Sequence, residues 1–508
     1  MTASPLVELF SRHVAERPDQ NAIEQGGRSI TYGVLSNRML QCARLLRDRK
    51  VGPGDRVVLY VPPSPDLYAL LLAIWRIGAV AVFVDAWTSK QRLGQVVELV
   101  KPALFVGIPK AHLLRILNPS TCRIPSMLWW RDRGRIVVAE SPADVEPAST
   151  ALITFTTGST GSPKGADRSH NFLLAQHQAL SRTLGTNAGS TDLATLPIFA
   201  LHNLASGATC RIASIDPAKP DAIDAPRFLE ELRTADTSAG SPAVFLAAAR
   251  SLAMPDPTIR ARIHLGGAAV FPRTIQELSK AFPSARWSAV YGSTEAEPMA
   301  LLEGRVLSEW SGSPDQGIPA GAFDPSLLVK IIHPADGPIV TETDTTLSER
   351  EVPRGKVGEI LVSGAHVLES YWNDPVAMAS NKVRTFERTW HRTGDAGRLD
   401  HQGNLYLLGR VSERIEWDGQ TLHPFAIQQA LLGIDGVSAG CALLHHGRIV
   451  LAVEPKPRLD RGALKHRILE FPWPFPFMLH FMDLPRDPRH RSKIDTASLR
   501  KRLTSDLQ

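Results

Sequence analysis

The residues from Thr154 to Gly165, TFTTGSTGSPKG, crowd hydroxyl side chains, three glycines and one lysine into twelve positions. Glycines let backbone N–H groups approach an anion, hydroxyls donate further hydrogen bonds, and Lys164 adds a mobile positive charge. The chemistry this composition serves is phosphate binding. The spacing is not that of the common nucleotide loop, G-x-x-x-x-G-K-[ST], because Gly158 is followed five places later by Pro163 and Lys164 by Gly165. By composition alone such a stretch is most often an ordinary polar loop. Its position gives it weight, since it follows the apolar Ala151-Leu152-Ile153 at a strand end, where open sheets bind ligands.

A loop of this kind needs a sheet to carry it. Asp55–Val61, Ile263–Val270 and Trp287–Tyr291 read as short buried strands, and Pro226–Arg233 and Pro272–Ala281 as helices. The alternation predicts α/β layers with mainly parallel sheets. At 508 residues the chain exceeds one ordinary core. Composition changes near Gly409-Arg410, so we expect a large N-terminal domain over 1–409, built of layered α/β subdomains, and a small α+β domain over 410–508. The longest apolar run, Leu67 to Val84, is interrupted by Arg76 and Gly78 and reads as a buried helix entering a buried strand, with no transmembrane segment. The N-terminus lacks a signal-peptide core, so a cytoplasmic location is the default expectation. Cys42, Cys122, Cys210 and Cys441 form no C-x-x-C pair and read as buried free thiols. The net charge of +6 is spread along the chain, which argues for anionic small molecules over nucleic acid.

TFTTGSTGSPKG resembles the phosphate signature of the adenylate-forming superfamily, which includes acyl-CoA synthetases, firefly-luciferase-like enzymes and peptide-synthetase adenylation domains. Four more motifs follow in that family's order: Tyr291–Glu295 (YGSTE), Trp390–Asp395 (WHRTGD), Gly409-Arg410 with Gly419, and Ser492-Lys493-Ile494. The resemblance implies ATP and Mg²⁺. It assigns the nucleotide's phosphates to Thr156, Thr157, Gly158, Ser159, Thr160, Gly161 and Lys164, and groups Thr294 with Glu295 in catalysis. Glu295 would hold Mg²⁺, a hard cation that takes oxygen ligands. Gly267 and Ala268 would pack on adenine, and Tyr291 and Gly292 are also counted among the nucleotide-binding residues. Asp395 would accept the ribose hydroxyls, for which its two oxygens suit a cis-diol, and Arg410 would reach the ribose or phosphates. Lys493, entering from the small domain, would bridge the substrate carboxylate and the α-phosphate. Read without the family, Glu295 is a surface carboxylate, as Glu297 is taken to be, Asp395 a turn residue and Arg410 a partner in a boundary salt bridge.

The implied reaction is attack of a carboxylate on ATP, with pyrophosphate leaving and a hydrophobic, fatty-acid-like acid as substrate. CoA is the default acceptor, and a carrier-protein thiol is another. His202, Gly240 and Ser241 are the candidate acyl-pocket residues, with His202 equally readable as a satisfied structural histidine. Several positions depart from the common pattern: Ala200 replaces a histidine or aromatic residue, Ser412 sits at the hinge, Glu416 stands where lysine is usual, and Ser492 replaces the glycine before the lysine. With PIFALHN and PRDPRHRSKID, these departures resemble the branch containing the olefin-pathway β-lactone synthetases, which need no external thiol. That gives a first alternative, a β-lactone synthetase acting on a 2-alkyl-3-hydroxy acid. A second is a nucleotide- or acyl-binding protein without catalysis.

Overall fold

The computed structural model describes residues 3–85, 88–128, 140–156, 163–216, 219, 222–487 and 492–506. Among them, runs of β-branched and aliphatic residues form two large sheets. In the first, Ser126–Leu128, Leu104–Gly107, Arg56–Tyr60, Val80–Phe83 and Thr150–Thr156 are parallel neighbours. Lys164–Ser169 and Ser370–Tyr371 continue it antiparallel. Val57, Val58 and Leu59 are fully buried, as expected of a parallel strand covered on both faces.

The second sheet begins parallel, through Thr209–Ile212, Thr191–Ala194, Thr237–Gly240, Arg262–Leu265 and Arg286–Ser293. Beyond Arg286–Ser293 it turns antiparallel, through Ala296–Glu303, Ile318–Phe323, Leu405–Arg410 and Thr389–Leu399 to Gly358–Ser363. The predicted strand Ile263–Val270 stops at Leu265, because Gly267 takes a φ of 76° and carries the chain out of the sheet. Helices Pro5–Glu16, Tyr32–Asp48, Pro65–Arg76, His170–Leu184 and Pro197–Ser206 form one core with side chains of both sheets.

The apolar run resolves into the helix Pro65–Arg76, a turn at Gly78 and the strand Val80–Phe83. Trp75, fully buried, donates from Nε1 to the carbonyl of Ala151 at 2.8 Å and so fixes this helix to the strand that leads into the phosphate loop. No helix among the described residues is long and apolar enough to cross a membrane. All four cysteines are free; Cys42, Cys210 and Cys441 are buried, but Cys122 is exposed, because it lies in a surface turn after Pro119.

After Arg410 the chain forms the short turn Val411–Glu413, the hairpin Ile415–Trp417 and Gln420–Leu422, and the helix Pro424–Gly433. A separate three-stranded sheet follows, Val437–His445, Arg448–Pro455 and Met478–Phe481, with its own apolar cluster around Leu431, Leu451 and Ile468. Phe425, on the helix Pro424–Gly433, meets Phe271 with ring centroids 5.9 Å apart.

One buried carboxyl gives the fold a pH signature. Asp192, on the interior strand Thr191–Ala194, accepts from Thr237 Oγ1 at 2.6 Å and from Asn203 Nδ2 at 2.7 Å. Burial raises its pKa to about 6 from an ordinary 3.8, and the two hydrogen bonds offset only part of that rise. Between those values the folded chain holds a proton that the unfolded chain has released. Stability therefore falls as pH rises through this window and levels off above it. At ~1.4 kcal/mol per unit, the Asp192 contribution is about 3 kcal/mol. Urea unfolding of Asp192→Asn at pH 4, 5 and 6.5 is expected to show a decline smaller than wild type by about 2 kcal/mol, the part of this contribution that falls within that range; equal declines would contradict the assignment.

Candidate active site

The strand Thr150–Thr156 and the returning strand Lys164–Ser169 pair in register, with Thr156 opposite Lys164. The half-buried Lys164 thus stands at the mouth of the loop. Thr157, Gly158, Ser159, Thr160 and Gly161 lie outside the described residues, and of Thr156 only the backbone is described. Arg168, one turn of the pleat further along, is buried; it donates to Thr154 Oγ1 and, at 2.8 Å, to the carbonyl of Thr294. This guanidinium joins the base of the phosphate loop to the YGSTE segment across the two sheets.

In YGSTE, Ser293 pairs with Ala296, so Thr294 and Glu295 form the turn of a tight hairpin. Glu295 Oε1 accepts from the Tyr371 hydroxyl at 3.0 Å, and its main-chain carbonyl accepts from Leu368 N–H at 2.6 Å. Burial works to raise the carboxyl's pKa, but the fields of His391 and Lys382 and the Tyr371 hydrogen bond outweigh it and hold the group below its usual range. Lys382 is itself buried, donates to the carbonyl of Leu368 and lies 5.5 Å from the Tyr371 ring centroid. Its burial, only partly opposed by Glu295, lowers its pKa to about 7. The result is an ionised carboxylate at the end of the parallel strands. Among the described residues no cluster of three or more His, Cys, Asp or Glu side chains stands ready to hold a metal. A single carboxylate fits Mg²⁺, which keeps several waters and is completed by substrate phosphates.

Asp395 pairs in register with Arg410 on the neighbouring strand. Its Oδ2 accepts from the Tyr291 hydroxyl at 2.8 Å, and its Oδ1 lies 3.2 Å from Arg410 Nε. Arg410 also donates to the Thr393 carbonyl at 2.8 Å. Tyr291, Asp395 and Arg410 thus form one cluster, half-buried at Tyr291 and Asp395 and exposed at Arg410, and the negative charge on Asp395 adds to desolvation in keeping the Tyr291 phenol protonated. Gly292 is packed close, since a Cβ there would lie 3.2 Å from Glu297 Cγ. Arg392, in the same WHRTGD segment, points elsewhere: it grips Glu359 at 2.7 Å and the Ala335 carbonyl at 2.7 Å as a buried structural pair.

Between these strands and the helices His170–Leu184 and Pro197–Ser206 lies an apolar pocket walled by Leu180, Leu184, Leu196, Phe199 and Val290. Gly240, Gly266 and Gly267 form its backbone wall. Its polar lining is Thr183, His264 and Glu297. Glu297, read from sequence as a surface carboxylate, is half-buried here because the hairpin after Glu295 folds back over the sheet end. Ala268 follows Gly267, half-buried and outside the lining. His202 is placed away from the lining as well: its Nδ1 is 3.1 Å from His177 Nδ1 and its Nε2 2.5 Å from Thr186 Oγ1. Burial drives its pKa down to about 3, so it is a neutral, satisfied core histidine. Ser241 is buried beside Gly240 at the start of the helix Pro242–Arg250.

Lys493 is exposed and sits in a closed loop, its N–H donating to Asp487 Oδ1 at 3.0 Å and its carbonyl accepting from Asp487 N–H at 2.9 Å. The neighbouring Ser492 Oγ accepts from Ala243 N–H at 3.1 Å. The structure therefore brings the lysine's loop to the helix start that follows Gly240 and Ser241. Glu416 is exposed in the hairpin after Arg410, held by Arg414 Nε at 3.0 Å and Thr421 Oγ1 at 2.8 Å.

A family model described as AMP-binding enzyme matches residues 10–372. The chain is 31% identical to an olefin beta-lactone synthetase of Stenotrophomonas maltophilia (strain K279a), over 97% of this chain and 97% of that protein. It is 32% identical to an olefin beta-lactone synthetase of Xanthomonas campestris pv. campestris, covering 82% of this chain and 80% of the relative. Among solved structures, ATP-bound MatB from Rhodopseudomonas palustris shares the fold with a TM-score of 0.82 at 21% identity, over 99% of this chain and 100% of that one.

Proposed function

Since the chain belongs to the AMP-binding enzyme family, we propose that it activates a 2-alkyl-3-hydroxy carboxylic acid with ATP and closes the acyl-adenylate on the acid's own 3-hydroxyl as a β-lactone. The observation that carries the reading is the similarity, along nearly the whole chain, to proteins named for β-lactone synthesis. The lining is of a kind that supports it, apolar walls with a polar edge at Thr183 and His264, around a cavity of about 20 Å³ that must widen to admit an alkyl chain.

In the first step a carboxylate oxygen attacks the α-phosphorus and pyrophosphate leaves. The substrate is already an anion, so no protein base is required. The protein must hold two repelling anions in line and stabilise the charge that develops. Lys164 and the loop from Thr156 to Gly161 would cradle phosphates, Asp395 the ribose hydroxyls with Arg410 beside it, and Lys493 the reacting carboxylate and α-phosphate. Glu295 would hold Mg²⁺, whose charge when bound neutralises phosphate oxygens. In the second step the 3-hydroxyl oxygen attacks the acyl carbon, AMP departs with one former carboxylate oxygen, and the hydroxyl proton passes to a site base or solvent. The lobe beyond Arg410 would move about that residue between steps.

The test is incubation with ATP, Mg²⁺ and a 2-alkyl-3-hydroxy acid, with and without CoA. The expected product is the acid less one water, with AMP and pyrophosphate, formed equally in both arms. A product formed only with CoA and bearing its mass would replace this reading with acid–thiol ligation.

A further inference from the structure

We propose that Ser492 is a positioning residue, whose hydroxyl caps the helix Pro242–Arg250 from across the molecule and so holds the Lys493 loop at the rim of the pocket. A helix leaves its first amides without partners of its own. In this fold Thr31, Ser64, Ser89 and Ser169 each satisfy one, accepting from the amide three residues on. Ser241 occupies the same place before Pro242–Arg250, yet its side chain makes no such bond and its buried Oγ has no partner among the described residues. Pro242 has no N–H, so Ala243 presents the first free amide, and it donates to Ser492 Oγ at 3.1 Å, 249 positions away in sequence.

Fixing Ser492 fixes its neighbour. Besides the paired bonds between Asp487 and Lys493, Arg486 bridges to Ile494 and Asp495 N–H donates to the Pro485 carbonyl at 2.9 Å. Residues 492–495 are thus joined to 485–487 at several points. The loop's other end is tied down by Thr496 Oγ1, which donates to Glu413 Oε1 at 2.8 Å. Glu413 belongs to the turn directly after Arg410, the residue on Asp395. Lys493 is therefore strung between an anchor beside Gly240 and one beside the Asp395 cluster. A glycine at 492 would have no side-chain hydroxyl to make the first anchor. Reactions that depend on near-attack geometry lose rate when such an anchor is released.

The inference rests on the proposed role of Lys493 in adenylate formation, and the test separates the two. Hydrogen exchange by peptide mass spectrometry on the full chain, together with acid-dependent pyrophosphate exchange, is measured for wild type, Ser492→Ala, Ser492→Thr and Lys493→Ala. A lost cap of this kind corresponds to about a five- to tenfold change in an equilibrium. Ser492→Ala is expected to accelerate exchange in 484–495 and at the start of 242–250 by that factor and to lower kcat by the same factor. Ser492→Thr is expected to restore both, and Lys493→Ala to lose activity with exchange unaltered. Unaltered exchange in Ser492→Ala would overturn the cap. Faster exchange with full activity, while Lys493→Ala is inactive, would overturn the positioning role. Full activity in Lys493→Ala would instead remove the adenylation reading of that lysine, leaving the cap to be judged on exchange alone.

Discussion

Lys493→Ala is expected to slow acyl-adenylate formation about a hundredfold or more, the loss seen when one preorganised transition-state donor is removed. The effect is electrostatic. A carboxylate approaching the α-phosphate brings negative charge against negative charge, and the repulsion is greatest as the new oxygen–phosphorus bond forms. An ammonium that touches both groups is worth more at that point than with substrates merely bound, so kcat falls further than KM rises. The substitution should leave the fold intact, because Lys493 is exposed and meets Asp487 through its own main-chain N–H and carbonyl, which alanine retains. Acid-dependent pyrophosphate exchange measures the step directly. A variant exchanging at the wild-type rate would show that this lysine takes no part in it.

Glu295→Gln is expected to cost about a hundredfold or more in the same assay and to raise the Mg²⁺ concentration needed for half-maximal rate, since the cation would lose its charged protein ligand. The geometry makes this a clean substitution. The Tyr371 hydroxyl can donate to an amide oxygen as it does to Glu295 Oε1, and the bond from Leu368 N–H to the Glu295 carbonyl is main chain on both sides. Lys382 loses the carboxylate that favours its charged form, so burial lowers its pKa further and the ammonium is given up at lower pH. The turn therefore survives while the charge does not. A Mg²⁺ titration of pyrophosphate release that superimposes on wild type would remove Glu295 from metal binding.

What the sequence made legible was local. The strand entering TFTTGSTGSPKG, the parallel alternation around Arg56–Tyr60 and Arg286–Ser293, and the helix Pro272–Ala281 all follow from periodicity and breakers within a few residues. Family order, and no spacing rule, singled out Glu295, Asp395 and Lys493 as the site proposed above. What it missed was long-range. Arg168 on the Thr294 carbonyl, Tyr371 and Lys382 around Glu295, and Ser492 on Ala243 each join segments more than seventy positions apart. No spacing rule encodes such a meeting. His202, open in sequence to both a pocket and a structural reading, is decided by contacts that no local pattern shows, since His177 and Thr186 satisfy it. Glu297 was hidden by its neighbour: two carboxylates a residue apart look alike in sequence, and only the hairpin shows that one sits in the turn while the other lines the apolar pocket.

The most direct measurement uses a 2-alkyl-3-hydroxy acid carrying ¹⁸O in both carboxylate oxygens, incubated with ATP and Mg²⁺ without CoA. Attack by the carboxylate on the α-phosphorus followed by closure of the substrate's hydroxyl on the acyl carbon predicts AMP with one heavy oxygen and a neutral product retaining the other. Unlabelled AMP, or ADP in its place, would contradict the account.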